Sequence, residues 1–284
     1  MSGQARPRRR GSGHASKPRK PVRARLAVRL PSRGRIGALL LFAALVGGLV
    51  TLVNGPWLRV ARTAHAGERY TPAEQLDAVL SGYLGRPLLA LDSATLEGQL
   101  RSLPAVAEAR VSGQLPDGLA VTIVEKRPAA TWQTAVARLV LAPDGKVIGS
   151  LPRDGELPRE LRDLPAVDDR RSASRSLGVG ADVPLAELRA AERLLSLDPE
   201  LLGSRARTFT VRIDDEYGFV LAPDQPTWEA ALGFYQAAPG ETQEEAMGRL
   251  EAQVAAVRTL FAERSERTVG WVDARNPGKV YWTP

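Results

Sequence analysis

His14 and His65 are the only imidazoles in a chain of 284 residues, and there is no cysteine. Thiol catalysis, thiolate zinc sites, iron–sulfur clusters and disulfide scaffolds are thereby excluded, and two histidines offer little for a metal cage. His14 falls in an arginine-rich arm and His65 close to a long apolar run, so neither is placed to serve a triad further along the chain. The acidic run Asp214-Asp215-Glu216 could ligate a hard cation, but the glycine and the further oxygen ligands of a calcium loop are missing, and a hairpin turn is the plainer reading. Gly178-x-Gly180 is too isolated to cradle a phosphate. Serine–lysine, nucleophile-elbow, Walker and zincin spacings are absent from the sequence. No catalytic residue, cofactor site, metal site or small-molecule substrate is expected, which leaves binding.

The charge is divided unevenly. Twelve of the 39 Lys and Arg residues fall in residues 1–35, which hold no acid, so the other 27 meet all 32 Asp and Glu for a net of minus five. The overall +7 is therefore a property of the arm, and no nucleic-acid-binding domain is implied. Rich in Arg, Pro, Gly and Ser, residues 1–35 are expected to be a disordered basic tail that sets topology and adheres to anionic lipid headgroups.

Ile36 to Val53 contains no charge, and the uncharged run continues to Leu58. These residues predict one transmembrane helix over 36–58, about 35 Å long at ~1.5 Å per residue, with Asn54-Gly55-Pro56 marking its exit and Trp57 at the interface. A leader cleaved at Ala64-His65-Ala66 is the rival, disfavoured because that site lies well beyond the apolar run. Ala43-xxx-Gly47 and Ala44-xxx-Gly48 would let another helix approach. The cationic arm places the N-terminus in the cytoplasm and the rest outside the cytoplasmic (inner) membrane.

Beyond the span the pattern reads β-α-α-β-β over residues 57–127. A strand is expected from Trp57 to Ala66. A capping box at Thr71-Pro72-Ala73-Glu74 then opens a helix burying Leu76, Val79, Leu80, Tyr83 and Leu84. A second helix starts at Asp92 or Ser93 and buries Leu96, Leu100 and Leu103, and Val106–Gln114 and Leu119–Ile123 form strands around Pro116-Asp117-Gly118. Three strands under two helices leave an edge that either accepts a peptide or is blunted by charge.

Residues 128–284 read as β-rich. A strand opens at Trp132, a hairpin spans Arg138–Ile148, residues 152–183 look irregular, and a helix covers Pro184–Leu197. Strands follow at Arg207–Ile213, Gly218–Ala222 and Trp228–Phe234. Thr242-x-x-Glu245 caps a long helix with Met247, Leu250, Val254, Val257 and Phe261 as its apolar stripe. Two strands, Thr268–Ala274 and Gly278–Trp282, close the pattern. The fold class is α+β.

Leu88-Leu89-Ala90-Leu91-Asp92, Leu103-Pro104-Ala105-Val106 running to Val111, Leu115-Pro116-Asp117-Gly118-Leu119 and Val124-Glu125-Lys126-Arg127-Pro128-Ala129-Ala130 together resemble a POTRA domain of the FtsQ/DivIB cell-division family. Trp271-Val272-Asp273-Ala274-Arg275, followed by Gly278-Lys279-Val280-Tyr281-Trp282, is similar to the ending of that family. The resemblance implies a non-enzymatic membrane scaffold of the bacterial divisome at the septum. Its POTRA and β-domains would lie outside the membrane, and FtsB/FtsL-like partners would bind by strand addition. It further implies a docking edge formed by Arg275, Gly278, Lys279, Val280, Tyr281 and Trp282, with alternation leaving open which of Val280, Tyr281 and Trp282 face the core. The alternative is a membrane-tethered POTRA module escorting polypeptide in secretion or outer-membrane assembly.

Overall fold

The computed structural model describes residues 33–235, 242–276 and 278–284. The expected basic tail lies outside these except for its last residues, Arg33–Arg35, which begin helix α1 (Arg33–Asn54). With 22 residues at ~1.5 Å each, α1 is about 33 Å long and matches the hydrocarbon slab. The stretch Gly34–Thr51 is long and apolar enough to cross a membrane, and none of it is buried against other residues. The helix stops at Asn54, short of the expected Leu58, because Pro56–Leu58 turns as a 3-10 segment with Pro56 at its start. The chain divides into two units, one ending at Val50 and the other running from Thr51 to Pro284.

A three-stranded sheet follows the order β1 (Arg62–Ala66), β3 (Gly118–Glu125), β2 (Val106–Gln114). β1 runs parallel to β3 and β2 antiparallel to it. Helices α2 (Ala73–Ser81) and α3 (Ser93–Arg101) cover one face. Leu76, Leu80, Leu96 and Leu100 pack on Leu119, Val121 and Ile123, as the helical and period-two spacings require. Asp92 caps α3 by accepting the Thr95 N–H at 3.2 Å, and bonds to Thr95 hold its carboxyl below the usual range.

Three expectations fail here. β1 starts at Arg62, not Trp57. The helix ends before Leu84, which is exposed. The capping box at Thr71 does not form: Pro72 is the N-cap, and the Thr71 N–H donates instead to Glu125 Oε1 at 2.7 Å. Glu125 also accepts the Tyr70 N–H at 2.9 and 3.0 Å, so a carboxylate at the end of β3 takes the donors a helix cap would have competed for.

A nine-stranded sheet takes the order β12-β11-β10-β9-β8-β7-β4-β5-β6. Its strands are β4 (Ala130–Gln133), β5 (Ala137–Leu141), β6 (Val147–Pro152), β7 (Ala166–Asp169), β8 (Phe209–Asp214), β9 (Gly218–Pro223), β10 (Glu229–Gly233), β11 (Trp271–Asp273) and β12 (Tyr281–Thr283). The β4–β7, β7–β8 and β10–β11 pairs are parallel. Helices α4 (Leu185–Leu195), α5 (Pro199–Leu202) and α6 (Gln243–Glu263) supply Leu188, Leu194, Leu202, Leu250, Val257 and Phe261 to its core. α6 begins in the expected capping box, Thr242 and Glu245 exchanging bonds at 2.7 and 3.2 Å.

β7 corrects the irregular reading of 152–183. Its Asp169 is fully buried, accepting the Trp132 indole N–H at 2.9 Å and pairing with Arg171, which also reaches Glu187 at 2.8 Å. Burial opposes the Arg171 charge, but the two carboxylates outweigh it and hold the guanidinium above its ordinary range. A buried acid is tolerated in a strand because it is fully paired.

The two sheets meet in a third apolar cluster of Ala105, Val140, Ala142, Ile148 and Leu161, against which Tyr70 packs. Arg69 pairs with Glu160 and Lys126 with Asp144 across the same junction.

Candidate partner-binding edge

β12 ends the nine-stranded sheet, pairing only with β11 in the register Trp271↔Thr283, Val272↔Trp282 and Asp273↔Tyr281. Its length corrects the sequence expectation. Gly278 takes a positive φ of 72° in a turn closed by the Lys279 N–H on Asn276 O at 3.1 Å, so Gly278, Lys279 and Val280 precede the strand. β11 likewise begins only at Trp271, because Glu266–Thr268 forms a 3-10 turn. That turn buries Glu266, which accepts the Ser204 hydroxyl at 2.7 Å and the Trp228 indole N–H at 3.3 Å.

The six residues of the expected edge divide by face. Val280 packs against the core, and Trp282 borders a groove of about 500 Å³ beside α6, lined also by Ala252, Ala256, Thr259 and Leu260. The Arg264 guanidinium lies 5.4 Å from the Trp282 ring centroid. Tyr281 points away from that groove and is 52% exposed, against 37% for Trp282. Gly278 also borders the groove, while Lys279 is exposed in the turn. Both aromatics therefore stay accessible while Val280 anchors the strand.

Arg275 serves the sheet. It grips Asp273 through Nε at 3.0 Å and Nη2 at 2.7 Å, donates to Glu216 O at 3.2 Å and lies over Tyr217. This pairing holds the Asp273 carboxyl below its usual range and raises Arg275 in return. Tyr217 in turn meets Trp271 edge-on at 4.7 Å. The acidic run Asp214-Asp215-Glu216 forms the β8–β9 turn, in which Asp214 accepts the Glu216 and Tyr217 N–H groups at 3.1 and 2.7 Å. His65 sits between Glu68 at 2.9 Å and Asp77 at 3.4 Å.

The first sheet offers a less open edge. On β2, the Val111 N–H already donates to Glu97 Oε1 of α3 at 3.0 Å, which blunts the outward side of that strand. The sequence reading missed Glu97, Glu125 and Arg264, since each acts on a residue brought near only by tertiary folding. Glu125, within the Val124–Ala130 phrase, and Glu97, within the expected second helix, lay in segments already marked, but nothing local gave their partners.

Residues 66–126 match the sequence model of the POTRA domain, FtsQ-type. The chain is 32% identical over 195 residues to the cell division protein FtsQ of Streptomyces bingchenggensis, covering 67% of this chain and 69% of that protein. It is 30% identical over 269 residues to FtsQ of Anaeromyxobacter sp. strain K, covering 89% of this chain and 83% of that one. The chain belongs to the FtsQ family. Similarity extends to FtsQ of Mycobacteroides abscessus at 28% identity, over 66% of this chain and 58% of that protein. Membership makes the three-stranded unit a POTRA domain and α1 the membrane anchor, and places the chain at the septum as a division scaffold in a generally non-enzymatic family.

Proposed function

We propose that the chain crosses the cytoplasmic membrane once, keeps its basic arm in the cytoplasm against anionic headgroups, and holds the POTRA domain (57–127) and β-domain (128–284) on the outer side. There an FtsB-like protein, accompanied by an FtsL-like one, adds a strand to β12 and so links early cytoplasmic division components to later wall synthesis. The observation carrying this reading is the terminal place of β12 beside a groove of mixed apolar and polar lining, Leu260 and Val280 together with Thr259 and Glu263. An unpaired strand margin supplies main-chain hydrogen bonds, and neighbouring pockets supply selectivity. Tyr281 and Trp282 are the aromatic anchors, Gly278, Lys279 and Val280 set the approach, and Arg275 braces the neighbouring strand β11 through Asp273.

The test is co-purification of FtsB- and FtsL-like proteins with the full chain from solubilised membranes. Tyr281→Asp and Trp282→Ala are each expected to lower recovery about tenfold, the size of one lost anchor. Val136→Asp, at an exposed side chain in the turn between β4 and β5, should leave recovery unchanged. Undiminished recovery by folded Tyr281→Asp would move the interface elsewhere.

A further inference from the structure

The end of the POTRA domain where the chain enters from α1 gathers four exposed apolar side chains on separate loops. Trp57 is 74% exposed, Leu84 49%, Leu89 56% and Leu115 69%. Backbone bonds hold these loops together. Val60 N–H donates to Arg86 O at 3.0 Å and Gly85 N–H to Val60 O at 2.8 Å, while Ala61 and Arg62 N–H both donate to Asp117 O at 2.9 and 3.2 Å. Leu88 lies against Gly113, so closely that a Cβ there would meet its Cγ at 3.2 Å, which ties the Leu89 loop to the strand end leading to Leu115. Other large apolar residues, such as Val136 and Leu201, are also exposed, as is ordinary on a protein surface. Four on one end of so small a domain are not ordinary.

Cations accompany them. Arg59 and Arg86 are exposed and pair with no carboxylate among the described residues, Arg86 lying 4.7 Å from the Tyr83 ring centroid. Arg62 is matched by Asp117, and the other nearby acid, Asp92, is engaged in capping α3. An apolar surface with Trp and Arg at its border has the composition of a protein face that rests in the headgroup layer.

The covalent tether decides the occupant. Trp57 is three residues beyond the last residue of α1, and Arg62, where β1 starts, is eight beyond it. Even a fully extended chain could carry Trp57 only about 10 Å from the helix end. A domain tethered this closely meets the bilayer at a high effective concentration. We propose that this end of the POTRA domain is a lipid-docking surface, with Leu84, Leu89 and Leu115 inserted into the membrane that α1 crosses and Arg59 and Arg86 facing lipid phosphates. Docking would fix the tilt of the POTRA domain and hence the direction in which β12 is presented.

The lack of cysteine makes single-site labels clean. The full chain is reconstituted in phosphatidylcholine vesicles containing phosphatidylglycerol, with no other protein, and labelled with a fluorophore at Leu84→Cys, Leu89→Cys, Leu115→Cys, Val136→Cys or Leu201→Cys. The three POTRA labels are expected to be quenched by spin-labelled acyl chains and shielded severalfold from iodide relative to the Val136 and Leu201 labels. Arg59→Glu with Arg86→Glu should reduce that shielding. Iodide access equal to that of the two control positions would overturn the proposal and assign the patch to a protein instead.

Discussion

Replacing Glu125 tests how the POTRA domain is held against the second sheet. Its carboxylate accepts two backbone N–H groups, from Tyr70 at 2.9 Å and Thr71 at 2.7 Å, and thereby positions the Tyr70 ring in the junction, where it lies against Gly149. The hydroxyls of Tyr70 and Thr71 and the Glu68 Oε2 are buried without a protein partner among the described residues, so the two carboxylate bonds are the polar contacts that hold this segment's N–H groups. Two charge-assisted bonds at about 1.5–2 kcal/mol each give an expected loss of about 3–4 kcal/mol for Glu125→Ala. For a folded part of this size that lowers the apparent Tm by roughly 6–16 °C. Glu125→Gln retains an oxygen able to accept both donors and should lose roughly a third as much. Both variants are measured as full chains in micelles by circular dichroism on heating. A change below about 0.5 kcal/mol in Glu125→Ala would show that the Tyr70–Thr71 segment does not depend on this carboxylate.

Gly218→Ala should destabilise the β-domain by at least about 2 kcal/mol, because Gly218 has φ +69° and a Cβ there would sit 2.3 Å from Gly233 O; denaturant titration measures it. The Arg275 guanidinium, hydrogen-bonded to Asp273, holds that carboxyl below the usual carboxylate range. The pair therefore contributes stability above pH ~4 that is lost as pH falls through the depressed value, and Asp273→Asn should flatten this part of an acid titration. Glu97→Ala frees the Val111 N–H on the β2 edge and should speed its hydrogen exchange at least about tenfold, whereas unchanged exchange would show the edge is protected otherwise. Depletion of the protein should give filamentous cells, while an export defect with normal septation would favour the escort reading.

Elements whose signal is local were legible. α1 announced itself as an uncharged run, α2 and α3 through Leu76/Leu80 and Leu96/Leu100, and α6 through the Thr242–Glu245 box. β7 was not, because its acid becomes acceptable only beside Trp132, 37 residues away, and Glu187 across Arg171. The Thr71 box failed for a related reason: a competing acceptor, Glu125, arrives from 54 residues along the chain. At the candidate edge, the composition of the final segment was readable. Its strand limits were not, since the Gly278 turn and the seating of Val280 on the core decide them together.

A partner that adds a strand to β12 pairs with its outward margin. Hydrogen exchange of the full chain, alone and bound to FtsB- and FtsL-like proteins, measures that pairing at Tyr281, Trp282 and Thr283. The expected result is slowing of at least about tenfold on binding, confined largely to this strand and the α6 groove. A stable complex in which these amides exchange as they do in the free chain would show that the partner does not pair with β12.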